Sequence, residues 1–446
     1  MPRTLIKDLH TKIGEQALIK GWVSVRRDQG KMVFFDFRDR SGSVQAVVLP
    51  SEELAIAVAK EIRSEYVIVA SGLVNKRPEK NINPDVLNGN IELQVQSLEV
   101  LSKAEPLPFD MSLTGYNLDL PTELDHRALT LRHPKVQAIF KVQEVIIDSF
   151  REFMKSQDFF EFQAPSIVPA VAEGGAEVFE VGYFDKQAYL SQSPQLYKQI
   201  VMTAFERVFS VNKIFRAEPS VTTRHITEVV SLDAEMGFIE SWTDVRDMIE
   251  NTVRFILMSV GAKCAAELKL LNAELPVMLE KTPTLSLTEA QEKILAKTGR
   301  DPRGDKDLSS QDEQDICEII KEESGSDFVF VHGYPTKQKP FYVYPNSENP
   351  EINEGIDLIG RGREWLSGGR RINDYTQLMD HVEKWGMDPK KIEMFLEAFR
   401  YGAPPEGGFA FGAERMTMQI LGLKNIREAT MFPRDMNRID QSLSSE

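Results

Sequence analysis

Gly407-Gly408-Phe409-Ala410-Phe411-Gly412-Ala413-Glu414-Arg415 is the stretch on which the fold turns, and helical residues follow it to Leu421. A Gly-rich strand that enters a helix, with an arginine at the helix start, lets the backbone approach a nucleotide closely. By itself the segment also reads as a tight strand-to-helix connection with a capping charge. Upstream, Asp357 and Glu364 stand seven residues apart and are followed by Ser367-Gly368-Gly369-Arg370-Arg371. Carboxylates so placed can share a hard cation, because Mg²⁺ uses one or two carboxylates together with substrate phosphates. Arg371 is then left to pair with a substrate carboxylate, although two acidic residues at that distance are also common by chance. Further upstream, Phe215-Arg216-Ala217-Glu218 closes a strand-like run, a polar loop carries Arg224 and His225, and Glu228, Asp233 and Glu235 follow. The planar fork of an arginine suits charge growing on an attacked phosphate. The plain alternative is a hairpin dressed with surface ion pairs, each worth little.

In this order and at this spacing, the three segments resemble motifs 2 and 3 of the class II aminoacyl-tRNA synthetases, with the metal-binding segment between them. The periodic run Val136 to Gln157, ending in Asp158-Phe159-Phe160-Glu161-Phe162-Gln163-Ala164-Pro165, resembles motif 1, which builds the dimer interface in that class. A β-rich N-terminus places the resemblance in the Asp/Asn/Lys subgroup, and it covers nearly the whole chain. Gln192-Ser193-Pro194-Gln195-Leu196-Tyr197-Lys198-Gln199 is similar to the amino-acid-pocket signature of the aspartyl-tRNA synthetases. A lysine at 198 favours a carboxylate substrate over an amide. Asparaginyl enzymes usually lack that lysine, and lysyl enzymes would need acidic residues for the substrate's ammonium group.

The resemblance implies a two-step reaction. The α-carboxylate of L-aspartate attacks the α-phosphorus of ATP and releases pyrophosphate. The terminal ribose hydroxyl of tRNA then attacks the aspartyl-adenylate carbonyl and releases AMP. Arg216, Arg415 and Glu364 are implied as the catalytic set. Around ATP, Arg216 would contact the α-phosphate, Glu218 the adenosine side, and Arg224 and His225 the outer phosphates. Ala217, Ile226, Glu364, Gly412, Ala413, Glu414 and Arg415 would complete that site. Around aspartate, Arg371 would clamp the side-chain carboxylate and Asp233 would lie near the ammonium group. Gln195, Leu196, Tyr197, Lys198, Arg216 and Ser367 would line the pocket, and Glu173 would lie on the mobile loop Glu173-Gly174-Gly175. Asp357, Glu364 and Ser367 would hold Mg²⁺. Four positions depart from the pattern: Val229 replaces an aromatic under the adenine, Ala410 and Phe411 make the Gly-rich run bulkier, and Ala172 replaces a hydroxyl beside the mobile loop.

The expected fold class is α+β. Residues 1–103 read as a β-rich unit with strand-like runs Ala17–Val25, Val33–Phe37, Val44–Leu49, Tyr66–Val74 and Ile91–Leu101, and helical composition from Glu52 to Arg63. Five strands with a helix after the third match an oligonucleotide-binding barrel, though another small barrel would read alike. In that barrel the resemblance implies an anticodon site. Phe34 would stack a base and Gln45 would read one, with Arg26 and Arg27 nearby. Residues 104–130 read as a hinge. Residues 131–446 read as the catalytic domain, an antiparallel sheet flanked by helices, with no room for the large insertion of bacterial aspartyl enzymes. The subtype is therefore archaeal/eukaryotic-like, although Arg77 to Pro84 has a bacterial-looking texture.

Composition narrows the classes further. No apolar stretch approaches the roughly 20 residues needed to span a bilayer, and no signal-peptide pattern opens the chain, so a cytoplasmic protein is expected. Two distant cysteines, Cys264 and Cys317, and six scattered histidines exclude a disulfide framework and a structural zinc site. A net charge of −15 speaks mildly against nucleic-acid binding, although a local basic stripe can act within an acidic protein. The expected partners are the aspartate tRNA, L-aspartate, ATP and a second copy of the chain, with no membrane. Charging of the asparagine tRNA as well stays open. The rival readings are an asparaginyl-tRNA synthetase, a tRNA-independent amino-acid ligase and a non-catalytic RNA-binding relative. Lys198 disfavours the first, Phe34 and Gln45 the second, and the retained Arg216, Glu364 and Arg415 the third.

Overall fold

The structure is a computed structural model that describes residues 1–84, 88–113, 115–169, 177–219 and 222–441. The chain divides into two compact units, Met1–Leu118 and Asp119–Glu446. In the first unit, β1 (Gln16–Gln29), β2 (Met32–Asp39), β3 (Gly42–Val48), β4 (Val67–Lys76) and β5 (Ile91–Ser102) close into a barrel of order β1-β2-β3-β5-β4. Helix α1 (Glu53–Glu61) joins β3 to β4, as the strand and helix pattern predicts. Strand alternation sorts the side chains. In β2, Val33, Phe35 and Phe37 are buried, while Phe34, Asp36 and Arg38 lie on the opposite side. The rings of Phe35 and Phe37 stack 5.1 Å apart in the core, among Ile19, Val23, Ile68 and Leu93.

The second unit opens with α2 (Leu120–Asp125) and α3 (Arg127–Thr130), inside the stretch expected as a hinge. Buried Arg127 fastens them near the chain's end, with Nε donating to Met431 O (2.8 Å) and Nη2 to Thr430 O (2.9 Å). Helix α4 (Pro134–Ser156) begins at a proline, whose missing N–H is harmless in the first turn. It buries Val136, Ile139, Phe140, Ile146, Phe150 and Met154 along one face. Then come β6 (Phe160–Glu161), β7 (Ile167–Val168), β8 (Glu180–Tyr183), β9 (Lys186–Leu190), α5 (Gln195–Phe205), β10 (Arg207–Phe215) and β11 (Glu228–Gly237). A helical stretch follows: α6 (Trp242–Lys263), α7 (Ala265–Leu271), β12 (Thr284–Ser286), α8 (Leu287–Thr298) and α9 (Ser310–Ser324). The chain closes with β13 (Phe328–His332), β14 (Gly355–Gly360), β15 (Arg363–Arg371), α10 (Tyr375–Lys384), α11 (Glu393–Arg400), β16 (Glu406–Gly412) and α12 (Ala413–Leu421).

Eight strands form one sheet of order β12-β13-β14-β15-β16-β11-β10-β6, beside a small sheet β7-β9-β8. Its inner neighbours are antiparallel, as expected, but β12 runs parallel to β13 and β6 parallel to β10. The sheet is therefore mixed at both edges. Each parallel pair is joined through helical chain, α8 and α9 for one and α5 for the other, which is the connection a parallel pair requires. On one face, Phe150 of α4 meets Phe209 and Phe411 edge-on at 5.7 and 5.5 Å. Period-two alternation then turns Glu406, Gly408, Ala410 and Gly412 of β16 to the opposite face. Their register partners stand beside them: Arg371 and Ser367 on β15, and Glu235, Asp233 and Ser231 on β11. That row is the floor of the candidate site.

Candidate active site

The floor lies under an open cleft with a cavity volume of about 270 Å³, lined by Gln195, Arg216, Glu218, Arg224, His225, Ile226, Val229, Glu364, Ser367, Arg371, Gly412 and Arg415, among others. Thus β10–β11, β15 and β16–α12 bring together most of the residues expected around ATP and aspartate. Val229, at the expected adenine position, lies against Gly412, where an added Cβ would come within 3.2 Å of it.

At the inner end the charges are buried and bonded to one another. Arg371 donates from Nε to Glu235 Oε1 (3.0 Å) and from Nη2 to Gly408 O (3.0 Å), and its guanidinium lies 5.3 Å from the Tyr342 ring centre. Lys198, fully buried, reaches Glu235 Oε2 (3.1 Å), Asp233 Oδ1 (3.4 Å) and Phe409 O (3.2 Å). Burial pushes the Glu235 carboxyl up, but Lys198 and Arg371 outweigh it and hold the group below the usual carboxylate range. Burial raises Asp233, with Lys198 and the Ser231 hydroxyl opposing. Gly408 is needed here because Glu235 Oε2 would stand 2.1 Å from any Cβ at that position. Lys198 and Asp233 thus sit beneath the pocket, while Arg371 lines its inner end.

At the outer end the charges are half-exposed and loosely paired. Arg216 Nη1 is 4.0 Å from Glu218 Oε1, His225 Nε2 is 3.9 Å from Glu218 Oε2, and Arg415 Nη1 is 3.6 Å from Glu364 Oε1. The loop is steadied at its rim, where His225 Nδ1 meets Thr222 Oγ1 (2.7 Å) and Arg224 Nη1 donates to Ser310 Oγ (2.8 Å).

Asp357 and Ser367 are register partners on β14 and β15, and Glu364 opens the same hairpin. Burial and the neighbouring Asp357 both raise the Glu364 carboxyl, as two facing carboxylates should. Lys339 offsets part of that charge by donating to both oxygens of Asp357 (3.0 and 2.8 Å). Among the described residues no three His, Cys, Asp or Glu side chains converge as metal ligands. Glu364 and Ser367 line the cleft with buried Asp357 next to them, a donor set that nevertheless fits a hard cation taking its remaining ligands from substrate and water.

Several expected residues lie elsewhere. Leu196 and Tyr197 face a neighbouring apolar pocket with Val168, Tyr189, Ile392 and Phe395. Ala217 is tied through its backbone N–H to Glu177 O (2.9 Å). Ala413 is buried in the first turn of α12, and Glu414 accepts Val230 N–H with both oxygens (3.2 and 3.1 Å), fastening α12 to β11. Burial pushes Glu414 up to about 7. Glu173 and the departure at Ala172 lie outside the described residues. In the barrel, Phe34, Asp36 and Gln45 share the outer face. Arg27, opposite Phe34, pairs with Asp36 through two bonds (2.8 and 2.9 Å). Arg26 stands opposite inward-facing Phe35, pairs with Asp28 at 2.9 Å and is not brought to that face.

The sequence reading missed Lys339, Tyr342, Glu313 and Glu406, and gave Gln199 no role beyond its place in the pocket signature. Glu406 shares its strand parity with Gly408 and Ala410, which was a usable signal. Glu313 accepts Glu364 N–H (3.3 Å), and burial with the Glu364 charge pushes it up to about 7. Neither it nor Lys339 stands in a recognisable pattern.

The comparisons agree with this geometry. A family model described as tRNA synthetases class II (D, K and N) matches residues 119–436, and one described as OB-fold nucleic acid binding domain matches residues 17–101. The chain is 39% identical over 449 residues to the aspartate–tRNA(Asp/Asn) ligase of Deinococcus radiodurans, covering 98% of this chain and 99% of that protein. It is 39% identical over 432 residues to the aspartate–tRNA(Asp) ligase of Pyrococcus horikoshii, covering 96% of each. The crystal structure of the asparaginyl-tRNA synthetase from Pyrococcus horikoshii complexed with asparaginyl-adenylate superposes with a TM-score of 0.90 at 30% identity, covering 98% of this chain and 99% of that one.

Proposed function

The chain belongs to the class II tRNA synthetases of the D, K and N group, and from that premise we propose that it joins L-aspartate to tRNA through aspartyl-adenylate. One observation carries the choice of amino acid. Arg371 lines the inner end of the cleft, with Lys198 beneath it, so a cation faces the place where a side-chain carboxylate would sit. Names among the relatives support the same choice, since aspartate ligases match over nearly the full chain.

ATP lies in the outer part of the cleft in this reading. Arg216 neutralises charge developing on the α-phosphate, His225 and Arg224 hold the outer phosphates, and Arg415 lies along the nucleotide. Glu364, Asp357 and Ser367 would hold Mg²⁺, which would supply charge neutralisation for the phosphates. No protein nucleophile takes part, and positioning does the rest.

The anticodon is read on the barrel's outer face by Phe34, Arg27 and Gln45. Two copies associate through α4 and β6, where exposed Phe160 stacks on exposed Phe205 (4.2 Å) at the open edge of the sheet, a patch suited to burial. The proposed compartment is the cytoplasm, where tRNA, ATP and aspartate meet. Among the described residues no helix is long and apolar enough to cross a membrane.

The deciding experiment is aminoacylation with labelled aspartate, ATP and Mg²⁺, using purified aspartate and asparagine tRNAs side by side. Charging of the aspartate tRNA alone identifies a discriminating enzyme, and charging of both a relaxed one. Charging of neither, with labelled asparagine in parallel attached to its tRNA, overturns the choice of aspartate.

A further inference from the structure

We infer that Glu406 is a positioning and specificity-determining residue: it carries a proton shared with Glu235, and that neutral carboxyl keeps Arg371 available to the side-chain carboxylate of the substrate. The inference rests on the aspartate reading above and deepens it.

The geometry demands the proton. Glu406 is fully buried, and its Oε1 accepts Gln199 Nε2 (2.6 Å). Its Oε2 is buried and meets no donor among the described residues. On the same face Glu235 stands opposite Gly408, two residues along β16 from Glu406, and its Oε2 is likewise buried without a hydrogen bond among the described residues. Two facing carboxylate oxygens repel unless one bears a hydrogen. Glu235 is already committed as the anion, since Arg371 and Lys198 both point at it. The proton therefore resides mainly on Glu406, and burial together with the Glu235 charge raises that carboxyl well above its ordinary range.

The charge balance shows what the proton does. The charged and titratable groups around Glu406 are Glu235 and Asp233 from β11, Lys198 from α5, Arg371 from β15, and Tyr342 against Arg371. With Glu406 neutral these groups sum to zero. With Glu406 ionised the net charge becomes −1, placed beside the guanidinium that meets the substrate. Aspartate arrives with a net charge of −1 and asparagine with none. Losing the proton therefore penalises aspartate selectively, through binding rather than through the chemical step.

The test is pyrophosphate exchange as a function of pH, for the wild type and Glu406→Gln, with aspartate and with asparagine. For the wild type, KM for aspartate is expected to climb about tenfold per pH unit above the Glu406 midpoint, while kcat and KM for ATP stay nearly level. In Glu406→Gln the climb disappears, and KM for aspartate stays within about twofold across the range. Superimposable profiles overturn the inference.

Infrared difference spectra give a readout independent of activity. The wild type should show a protonated-carboxyl band that is missing in Glu406→Gln and shifted in Gln199→Leu, which removes the amide bonded to Glu406. A wild-type spectrum without a band that responds to Gln199→Leu also overturns the inference. If the wild type fails to activate aspartate at all, the functional reading falls, and the infrared result still decides the proton.

Discussion

The two ends of the cleft hold similar charges in opposite ways. At the inner end, Arg371, Lys198, Glu235 and Asp233 are buried and bonded at 3.0 to 3.4 Å. At the outer end, Arg216, His225 and Arg415 are half-exposed and stand 3.6 to 4.0 Å from their nearest carboxylates. A buried charge without a permanent partner is very costly, so the inner set must be complete before any substrate arrives. The outer set has to exchange partners in each turnover, as ATP enters and pyrophosphate leaves. Water and loose pairs let it do so at little cost. One end is thus built as core and the other as surface, within a single sheet.

Arg371→Ala should break this contrast most severely. It removes a buried cation and leaves Glu235 under-compensated, so a loss of about 3–5 kcal/mol in the stability of the catalytic unit is expected, together with near-complete loss of adenylate formation. Urea unfolding and pyrophosphate exchange read the two effects separately, and near-normal exchange would remove Arg371 from its role. Arg216→Ala should leave stability within about 0.5 kcal/mol while lowering kcat for exchange about 10²–10³-fold. If it destabilises as much as Arg371→Ala, the division into a core-like and a surface-like end is wrong.

The barrel supplies a third kind of site, a half-buried aromatic on an outer face. Phe34→Ala should weaken productive tRNA binding by about 1–3 kcal/mol, the contribution of one base stacked on a ring. The effect belongs in KM for tRNA and not in aspartate-dependent exchange, which needs no tRNA. A change in exchange would place Phe34 in a structural role.

The outer end was legible in the sequence because its residues lie close together along the chain, at the ends of a strand and at a strand-to-helix junction. The inner end was legible only in part. Arg371, Lys198 and Asp233 stood out as types, but their mutual bonding depends on register among β11, β15 and β16, which sequence patterns do not give. Glu406 was passed over for that reason, since nothing local shows that Glu235 lies against it. Phe34 and Phe35 illustrate the same limit in the barrel. Two adjacent aromatics read alike until the pairing of β2 with β1 fixes which one faces out. The parallel edges of the large sheet were also hidden, because β6 and β12 are only two and three residues long.

The smallest predicted effect probes the inner end without breaking it. Glu406 has a folded-state pKa well above its ordinary value near 4.5. Between those two values the folded chain binds the proton more tightly than the unfolded chain does, so stability falls as pH rises, by at most about 1.4 kcal/mol per pH unit. Glu235 acts in the opposite sense, and only at lower pH. Held below the usual carboxylate range, it contributes stability that disappears as the solution is acidified through its folded value. Glu313 and Glu414, each near 7, add slopes of the same sign as Glu406, but they do so equally in both proteins. The difference between the wild type and Glu406→Gln therefore isolates one carboxyl. Unfolding midpoints measured from about pH 5 to about pH 8 should show Glu406→Gln gaining on the wild type as pH rises. A constant difference across that range would mean that Glu406 is already ionised in the folded chain, and that the inner end balances its charges without a proton.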